Sequence, residues 1–290
     1  MILIDNQEEF EKVCNQLSEE KVICIDTEFC RRRTYYAVLS LIQLSTNNHK
    51  IIIDVLSGIN ISSFAKLLNN KEICKIFHAP DQDLDIFLHL FKKLPSNIFD
   101  TQIAASILGF GDMKSYSSLC KDVLNINLDK TLQKADWLVR PLDANLLNYA
   151  IKDVEYLMPL YINFSNTIKS RNLWANYQER LKKLLSPENY KLNLEKIYRK
   201  AGIMDQSESV LRNFSYFVLL REECAQKFDV PRGYCASEAQ LIKFNQTLPI
   251  NDQDLARALI ERPYLVRAPY KTKLFELCKG LREEKNLLSF

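Results

Sequence analysis

Five short apolar runs in the first hundred residues constrain the fold of this chain more than any other feature. They are VICIDTEF, which ends at Phe29, LSLIQLS (39–45), IIIDV (51–55), CKIFHA (74–79) and NIFD (97–100). The first three follow one another without room for helices, so they predict an antiparallel meander. Helical patterns at 62–70, 81–91 and 101–109 alternate with the later runs and predict right-handed crossovers between parallel strands. We therefore expect a mixed sheet covered by helices.

The second half of the chain has a helical pattern almost throughout. An apolar stripe at spacings of three and four begins near Leu142, and residues 169–200 carry nine Lys and Arg against three acidic residues. The short polar stretch AGIMDQSES (201–209) is the best domain boundary in the sequence, and short helices follow it. We predict an α/β domain over 1–168, a helical connector over 169–206 and an all-α helical bundle over 207–290.

Charge divides unevenly along the chain, whose net charge is only +3. Residues 1–165 carry 17 Lys and Arg against 21 Asp and Glu, whereas residues 166–290 carry 22 against 15. An acidic first part and a basic second part suit a cation-binding site followed by a surface for a polyanion. Ordinary variation between the surfaces of two domains explains the charges about equally well.

Several protein classes conflict with the composition. No apolar run approaches the roughly 20 residues that a membrane span requires, and MILIDNQEEF is neither a secretory signal nor a basic transit peptide. The eight cysteines stand singly, without a C-x-x-C pair. We therefore expect reduced thiols, no disulfide partner, no membrane association and a cytoplasmic protein.

Two acidic residues close the first apolar run. Asp26 and Glu28 project from the same side of a strand, because successive side chains alternate between its faces. Two carboxylates at the end of an apolar strand repel each other unless a cation neutralises them, and Mg²⁺ and Mn²⁺ prefer oxygen ligands. The alternative is a strand that runs out into solvent with both acids exposed.

Two further acidic motifs follow, and each is weak by itself. In HAPDQDLDIF (78–87), Asp81, Asp83 and Asp85 lie at a turn from a strand into a helix, where acids also stabilise a helix amino terminus. In YAIKD, Tyr149 and Asp153 are four residues apart and so share one helix face. A Tyr at the edge of the core with a solvated Asp explains that second pair as well.

In this order, IDTEF, HAPDQDLDIF and YAIKD resemble the three motifs of the DEDD exonuclease superfamily, in its tyrosine-bearing branch and within it the ribonuclease D family. The segments 34–45, 99–109 and 128–142 resemble the same family. LREECAQKFDVPRGY (220–234) resembles the start of the helicase-and-RNase-D C-terminal (HRDC) domain. Some bacterial relatives have two such helical domains, whereas one is visible here, and Ala37 stands where the family often has Pro.

The resemblance implies a ribonuclease H-like exonuclease domain followed by one HRDC domain. It selects Asp83 over its acidic neighbours and implies that Asp26, Glu28, Asp83 and Asp153 hold two divalent ions, Mg²⁺ or Mn²⁺. Tyr149 would then orient the attacking water. The implied activity is a 3′-5′ exoribonuclease that releases nucleoside 5′-monophosphates, and the implied substrates are transfer-RNA precursors with 3′ extensions.

Other residues near the motifs are candidates for contacts with the substrate. RRRTYY (31–36) directly follows the first motif, and its Arg33, Tyr35 and Tyr36 suit a phosphate and a stacked base. Thr27 and His78 are further candidates, although a lone His at a strand end is more often structural. A solvated loop explains RRRTYY about equally well.

Two other functions remain open from the sequence alone. A DNA-directed 3′ exonuclease would use the same carboxylates, and nothing in the sequence reads the 2′-hydroxyl that distinguishes RNA from DNA. A non-catalytic nucleic-acid-binding scaffold is the second alternative, but four clustered acids beside a polyanion argue against it.

Overall fold

A six-stranded mixed sheet forms the centre of the first part of the chain in the computed structural model, which describes residues 1–129, 131–132, 135–258 and 264–287. The strands are β1 (Ile2–Ile4), β2 (Val22–Cys30), β3 (Val38–Ser45), β4 (Lys50–Asp54), β5 (Cys74–Phe77) and β6 (Ile98–Asp100). Their order across the sheet is β1-β4-β3-β2-β5-β6. The predicted segment 128–142 and the predicted bundle 207–290 each fall partly outside the described residues.

The pairing of the strands confirms the predicted mixed sheet. β2, β3 and β4 form the antiparallel meander, and β5 and β6 continue the sheet in parallel from β2. The edge strand β1, which pairs in parallel with β4, was not predicted. Its three residues are too few to show a strand pattern, and Ile2 and Leu3 are exposed.

Two compact units make up the chain. Unit 1 contains Met1–Cys30 and Ala37–Lys191, and unit 2 contains Arg31–Tyr36 and Leu192–Phe290. The predicted connector 169–206 is therefore divided between the units. Its first part belongs with unit 1 because Tyr177 and Leu181 are buried in the core around the sheet. Its last part belongs with unit 2 because side chains from Leu192 onwards pack on a second core.

Helices surround the sheet of unit 1. They are α1 (Gln7–Leu17), α2 (Ser62–Asn69), α3 (Asp81–Phe91), α4 (Thr101–Ile107), α5 (Tyr116–Leu124), α6 (Ala144–Glu155), α7 (Leu157–Ser170) and α8 (Trp174–Leu184). α6 begins where the Asp143 side chain accepts a hydrogen bond from the backbone N–H of Asn145. Its apolar stripe buries Ala150, Ile151 and Val154 against the strands. This packing fixes the helix that carries Tyr149 and Asp153.

In the described part of unit 2, the regular secondary structure is helical. Its helices are α9 (Leu194–Ala201), α10 (Glu208–Phe228), α11 (Arg232–Cys235), α12 (Glu238–Thr247), α13 (Asp252–Ala258) and α14 (Tyr270–Leu287). The long α10 lies at the centre and buries Phe214, Phe217 and Val218 in a core of its own. The predicted helical part after the mixed sheet is confirmed.

An ionic network lies inside unit 2. Arg221 is 1% exposed, and its guanidinium contacts carboxylate oxygens of Glu222 at 3.3 Å and of Glu238 at 3.4 Å. Glu222 also accepts a hydrogen bond from Nε of Arg232 at 2.6 Å. A buried cation requires such partners, because an uncompensated charge inside a protein is strongly destabilising.

All eight cysteines are free thiols, and six of them are buried. In the described part of the chain, we find no helix whose length and apolar character would let it cross a membrane.

Candidate active site

Strand β2 presents the first two acidic residues of the site. Asp26 and Glu28 are two residues apart on this strand, so their side chains leave the same face of the sheet. Asp26 lies directly opposite Gln43 of β3, and the register shifts between Glu28 and Phe29. A register shift re-aims the side chains next to it. Both carboxylates are partly buried instead of standing in solvent.

Helix α3 adds the third carboxylate. Asp83 is 7% exposed, and its Oδ1 accepts a hydrogen bond from the hydroxyl of Thr27 on β2. Asp81 is exposed, and Asp85 lies further along the helix. Asp83 is thus buried beside β2 and held there by this hydrogen bond. It shares a helix face with the buried Phe87 four residues later.

Helix α6 adds Asp153 and Tyr149, one turn apart. The charge of Asp153 acts on both Asp26 and Glu28, so α6 brings its carboxylate into the same cluster. The Tyr149 ring lies 6.2 Å from the ring of Trp137, centroid to centroid. The structure therefore gathers five predicted site residues in unit 1: Asp26, Glu28, Asp83, Tyr149 and Asp153.

The electrostatics of the cluster reflect buried negative charge. Burial, followed by the charges of Asp83, Asp153 and Glu28, holds the pKa of Asp26 well above its usual range. Burial and two neighbouring carboxylates likewise raise the pKa of Glu28 to about 9. Burial raises the pKa of Asp83 to about 6, against the opposing effect of the Thr27 hydrogen bond, and that of Asp153 to about 7. Burial and the repulsion between like charges both disfavour the ionised form of a carboxyl group and so raise its pKa.

A divalent cation suits these residues. Four carboxylates offer the oxygen ligands that Mg²⁺ and Mn²⁺ prefer, and a cation would remove the repulsion that raises their pKa values. Gln43 adds a polar side chain that is 0% exposed, and neither its Nε2 nor its Oε1 has a hydrogen-bond partner among the described residues. Across residues 1–129, 131–132, 135–258 and 264–287, no three Asp, Glu, His or Cys side chains are already arranged to hold a metal ion. The donor chemistry fits, and binding would require the side chains to close on the ion.

Two of the predicted substrate-binding residues have structural contacts in unit 1. Thr27 is 5% exposed and donates its hydroxyl to Asp83, so it positions a carboxylate. His78 lies with Nδ1 2.9 Å from Oγ1 of Thr101, and burial lowers the pKa of its imidazole to about 4. A neutral, hydrogen-bonded His78 agrees with the structural interpretation of this residue.

The other three predicted substrate-binding residues, Arg33, Tyr35 and Tyr36, belong to unit 2. The Tyr35 hydroxyl donates to Glu222 at 2.8 Å, and the Arg232 guanidinium lies 4.8 Å from the centre of the Tyr35 ring. Oδ1 of Asp229 accepts hydrogen bonds from both tyrosine backbone N–H groups, at 3.0 and 3.1 Å. The arginine stacking and the buried hydroxyl partner give Tyr35 a structural role that its sequence position does not indicate.

Residues that sequence reasoning missed hold the segment before α6. Arg140 donates from Nε and Nη2 to both carboxylate oxygens of Asp54, at 2.7 and 2.6 Å, and from Nη1 to the Trp137 carbonyl at 2.9 Å. Such two-pronged pairs are the strongest geometry for an arginine and a carboxylate. Asp54 and Arg140 are 86 residues apart, so local sequence could not signal their pairing. Gln43 could have been noticed in the sequence, because it is the one amide side chain in a mainly apolar strand.

Comparison with known proteins adds to this geometry. A family model described as 3′-5′ exonuclease matches residues 1–169. Ribonuclease D from Zymomonas mobilis is 35% identical over 257 residues, which are 88% of this chain and 66% of that protein. Ribonuclease D from Jannaschia sp. is 30% identical over 260 residues and is covered to 67%. The chain thus spans about two thirds of the length of the curated relatives that it matches.

Two solved structures share the fold over most of the chain. The structure of Escherichia coli RNase D, described as an exoribonuclease involved in structured RNA processing, superimposes with a TM-score of 0.86 at 25% identity and covers 97% of this chain and 74% of its own. The catalytic core of RRP6 from Trypanosoma brucei has a TM-score of 0.71 at 22% identity over 98% of this chain and 80% of its own. The second likeness supports the fold alone.

Proposed function

Because this chain belongs to the 3′-5′ exonuclease family, and within it to the ribonuclease D group, we propose that it removes nucleotides one at a time from RNA 3′ ends. The observation that carries the proposal is the cluster of Asp26, Glu28, Asp83 and Asp153 inside the segment that matches the exonuclease model. The products would be nucleoside 5′-monophosphates. As physiological substrates we infer transfer-RNA precursors with 3′ extensions.

The four carboxylates would hold two divalent ions, Mg²⁺ or Mn²⁺. Ions bound there would activate the attacking water and stabilise the leaving 3′ oxygen. Asp26 and Glu28 approach from β2, Asp83 from α3 and Asp153 from α6, so three elements would fix the reacting phosphate between them. Thr27 would hold Asp83 in place through its hydroxyl.

Tyr149 would orient the attacking water and would not take its proton. Burial, and then the charges of Asp153, Glu28 and Asp26, raises the pKa of its hydroxyl above the ordinary value near 10. A phenol in that environment stays protonated at neutral pH and donates a hydrogen bond. The Tyr149 hydroxyl would then donate a hydrogen bond to the oxygen of the attacking water, and the Tyr149 ring lies near Trp137.

A time course on matched single strands tests the activity. We expect 5′-labelled RNA to shorten from its 3′ end in single-nucleotide steps when Mg²⁺ or Mn²⁺ is present, with 5′-monophosphates released and no products in a chelator. A 3′-tailed transfer-RNA precursor tests the substrate in the same assay. Faster hydrolysis of matched DNA would favour the DNA exonuclease, and internal cuts would contradict the proposal.

Replacement of Tyr149 by Phe separates water positioning from metal binding. We expect kcat to fall about 100-fold, within the range for a group that positions or transfers a proton. Metal binding, followed by titration calorimetry, should match that of the wild type because no carboxylate changes. Tyr216→Phe, on exposed surface of unit 2, is the control. A Tyr149→Phe enzyme with normal kcat would reduce Tyr149 to a packing residue.

A further inference from the structure

A single residue, Tyr156, separates α6 from α7. In a continuous α-helix each N–H bonds to the carbonyl four residues earlier, so the Tyr156 N–H would bond to the Lys152 carbonyl. Pro159 of α7 favours an interruption at this point, because in a continuous helix its ring would clash with the Glu155 carbonyl. The break lies within one helical turn of Asp153, which the proposed function assigns as a metal ligand.

The hydroxyl of Tyr116 lies between the two backbone groups at the break. It accepts a hydrogen bond from the Tyr156 N–H at 3.0 Å and donates one to the Lys152 carbonyl at 3.0 Å. One phenol oxygen thus replaces the direct bond of the helix and pairs both backbone groups. A side chain inserted into this ladder of hydrogen bonds is an established cause of a helix kink.

Helix α5 holds Tyr116, its first residue, in place. The helix is capped by Ser115, whose hydroxyl accepts a hydrogen bond from the Ser118 N–H at 3.3 Å. One turn later, Leu119 and Cys120 are buried in the core of unit 1, and the Cys120 thiol is hydrogen-bonded to the phenol. The Tyr116 side chain is therefore fixed at both ends, by its helix and by the break between α6 and α7.

Tyr116 also contacts the segment before α3. The His78 ring lies 5.7 Å from the Tyr116 ring, centroid to centroid, and the imidazole forms a hydrogen bond with the backbone of Lys114. His78 precedes the helix that carries Asp83. The tyrosine thus contacts both the chain leading into α3 and the end of α6, and these two helices supply two of the four clustered carboxylates.

The direction of the Asp153 side chain depends on this break. Asp153 belongs to the turn between Lys152 and Tyr156 that the phenol spans, and its side chain is half-buried. Burial, the Cys120 thiol and then the charge of Asp153 hold the pKa of Tyr116 well above its usual range, so the carboxylate and the phenol are neighbours. A misplacement of about 1 Å in such a site can lower a rate about 100-fold.

We propose that Tyr116 is a positioning residue, which directs Asp153 towards Asp26 and Glu28 by holding the break between α6 and α7. This inference rests on the proposed function, because it takes Asp153 as a metal ligand. Without the hydroxyl, Pro159 still prevents a continuous helix, so the Tyr156 N–H and its partner carbonyl lose their shared hydrogen-bonding group. The turn that carries Asp153 then loosens, and the carboxylates are no longer held together before an ion binds.

Replacement of Tyr116 by Phe tests the role through metal affinity. Titration calorimetry should show Mn²⁺ binding weakened about tenfold, the lower end of the effect usual for residues that orient a metal ligand. At limiting Mn²⁺, 3′ shortening of RNA should slow by a similar factor, and most of the rate should return at saturating Mn²⁺ because occupancy is restored. Tyr149→Phe should show the reverse, with normal affinity and a low kcat. Unchanged Mn²⁺ affinity in Tyr116→Phe would overturn the inference.

Tyr161→Phe is the matched control. It removes a hydroxyl from α7 in the same unit, but that hydroxyl is hydrogen-bonded to the Cys74 thiol and not to the break. We expect Mn²⁺ affinity to stay at the wild-type value. Equal losses of affinity in the two variants would indicate a general effect of losing a buried hydroxyl and would contradict a specific role of Tyr116.

Hydrogen exchange in the metal-free protein tests the break without any reaction. The Tyr156 amide should exchange about fivefold faster in Tyr116→Phe than in the wild type, the scale expected for one lost hydrogen bond. Tyr161→Phe should leave that amide unchanged. Equal exchange of the Tyr156 amide in wild type and Tyr116→Phe would show that the phenol does not hold the break.

The wild-type protein distinguishes failure of this inference from failure of the proposed function. A wild type that neither binds Mn²⁺ nor hydrolyses RNA would refute the proposed function. A wild type that does both, together with wild-type affinity and exchange in Tyr116→Phe, would refute only the role of Tyr116.

Discussion

Hydrolysis is expected to fall by at least about 10³-fold when Asp153 is replaced by Asn, since the change removes a ligand charge and keeps the shape of the side chain. Asp26→Asn, Glu28→Gln and Asp83→Asn should lose as much. The double variant of Asp26 and Asp153 should be no worse than either single one, because groups that act as one unit are not additive. Rates of 3′ end shortening, measured at saturating metal, test these expectations.

In these variants, stability should rise or stay level although activity falls. Each removed carboxylate relieves repulsion within a buried cluster, so the Tm without added metal should rise or stay level. Asp81→Asn is the matched control, since it neutralises an exposed acid in the first turn of the same helix. Near-normal hydrolysis by a variant of any of the four acids would remove that residue from the site.

Replacement of Glu222 by Ala is expected to destabilise unit 2 by about 3–5 kcal/mol. The change leaves Arg221, at 1% exposure, without one of its two carboxylate partners and also removes the carboxylate partner of Arg232. Loss of one partner of a buried ion pair has a cost of this size because the remaining charge is uncompensated. Chemical denaturation, followed by the helical signal in far-ultraviolet circular dichroism, gives the free energy of unfolding.

The neighbouring residue supplies the control for that experiment. Glu223 is paired with Lys273, but both side chains are about half exposed. An exposed pair contributes about 0–1 kcal/mol, so Glu223→Ala should have a small effect on stability. Equal losses in the two variants would show that burial of the network is not what stabilises unit 2.

The pattern of apolar residues was sufficient to predict most of the sheet. β2, β3 and β4 are long enough for their alternation and short separations to predict the meander, and the helix after each later strand predicts the parallel part. β1 was not predicted, because three residues are too few to show the alternating pattern of a strand. The division of the helical region at Lys191 was also missed, since it depends on which core the side chains of α8 and α9 reach.

The sequence predicts the acidic residues of the candidate site better than it predicts the contacts that hold them in place. Asp26 and Glu28 follow from strand alternation, but from the residues alone Asp83 could not be told from Asp85. The hydrogen bond from Thr27 to Asp83 distinguishes them, and it joins residues 56 positions apart. Such contacts arise from the folded chain, so a local pattern cannot contain them.

The membership of Arg31–Tyr36 in unit 2 has a consequence for synthesis of the protein. Tyr35 leaves the ribosome 187 residues before its partner Glu222. At about 5–20 residues per second, the delay is on the order of 10 to 40 s. During that time β2 and β3 can already pair, whereas the segment between them has none of its hydrogen bonds to Glu222 and Asp229. The last helices to be synthesised therefore complete contacts that begin at residue 35, and a C-terminal piece that starts at Leu192 would lack the hydrogen bonds of Tyr35 and Tyr36.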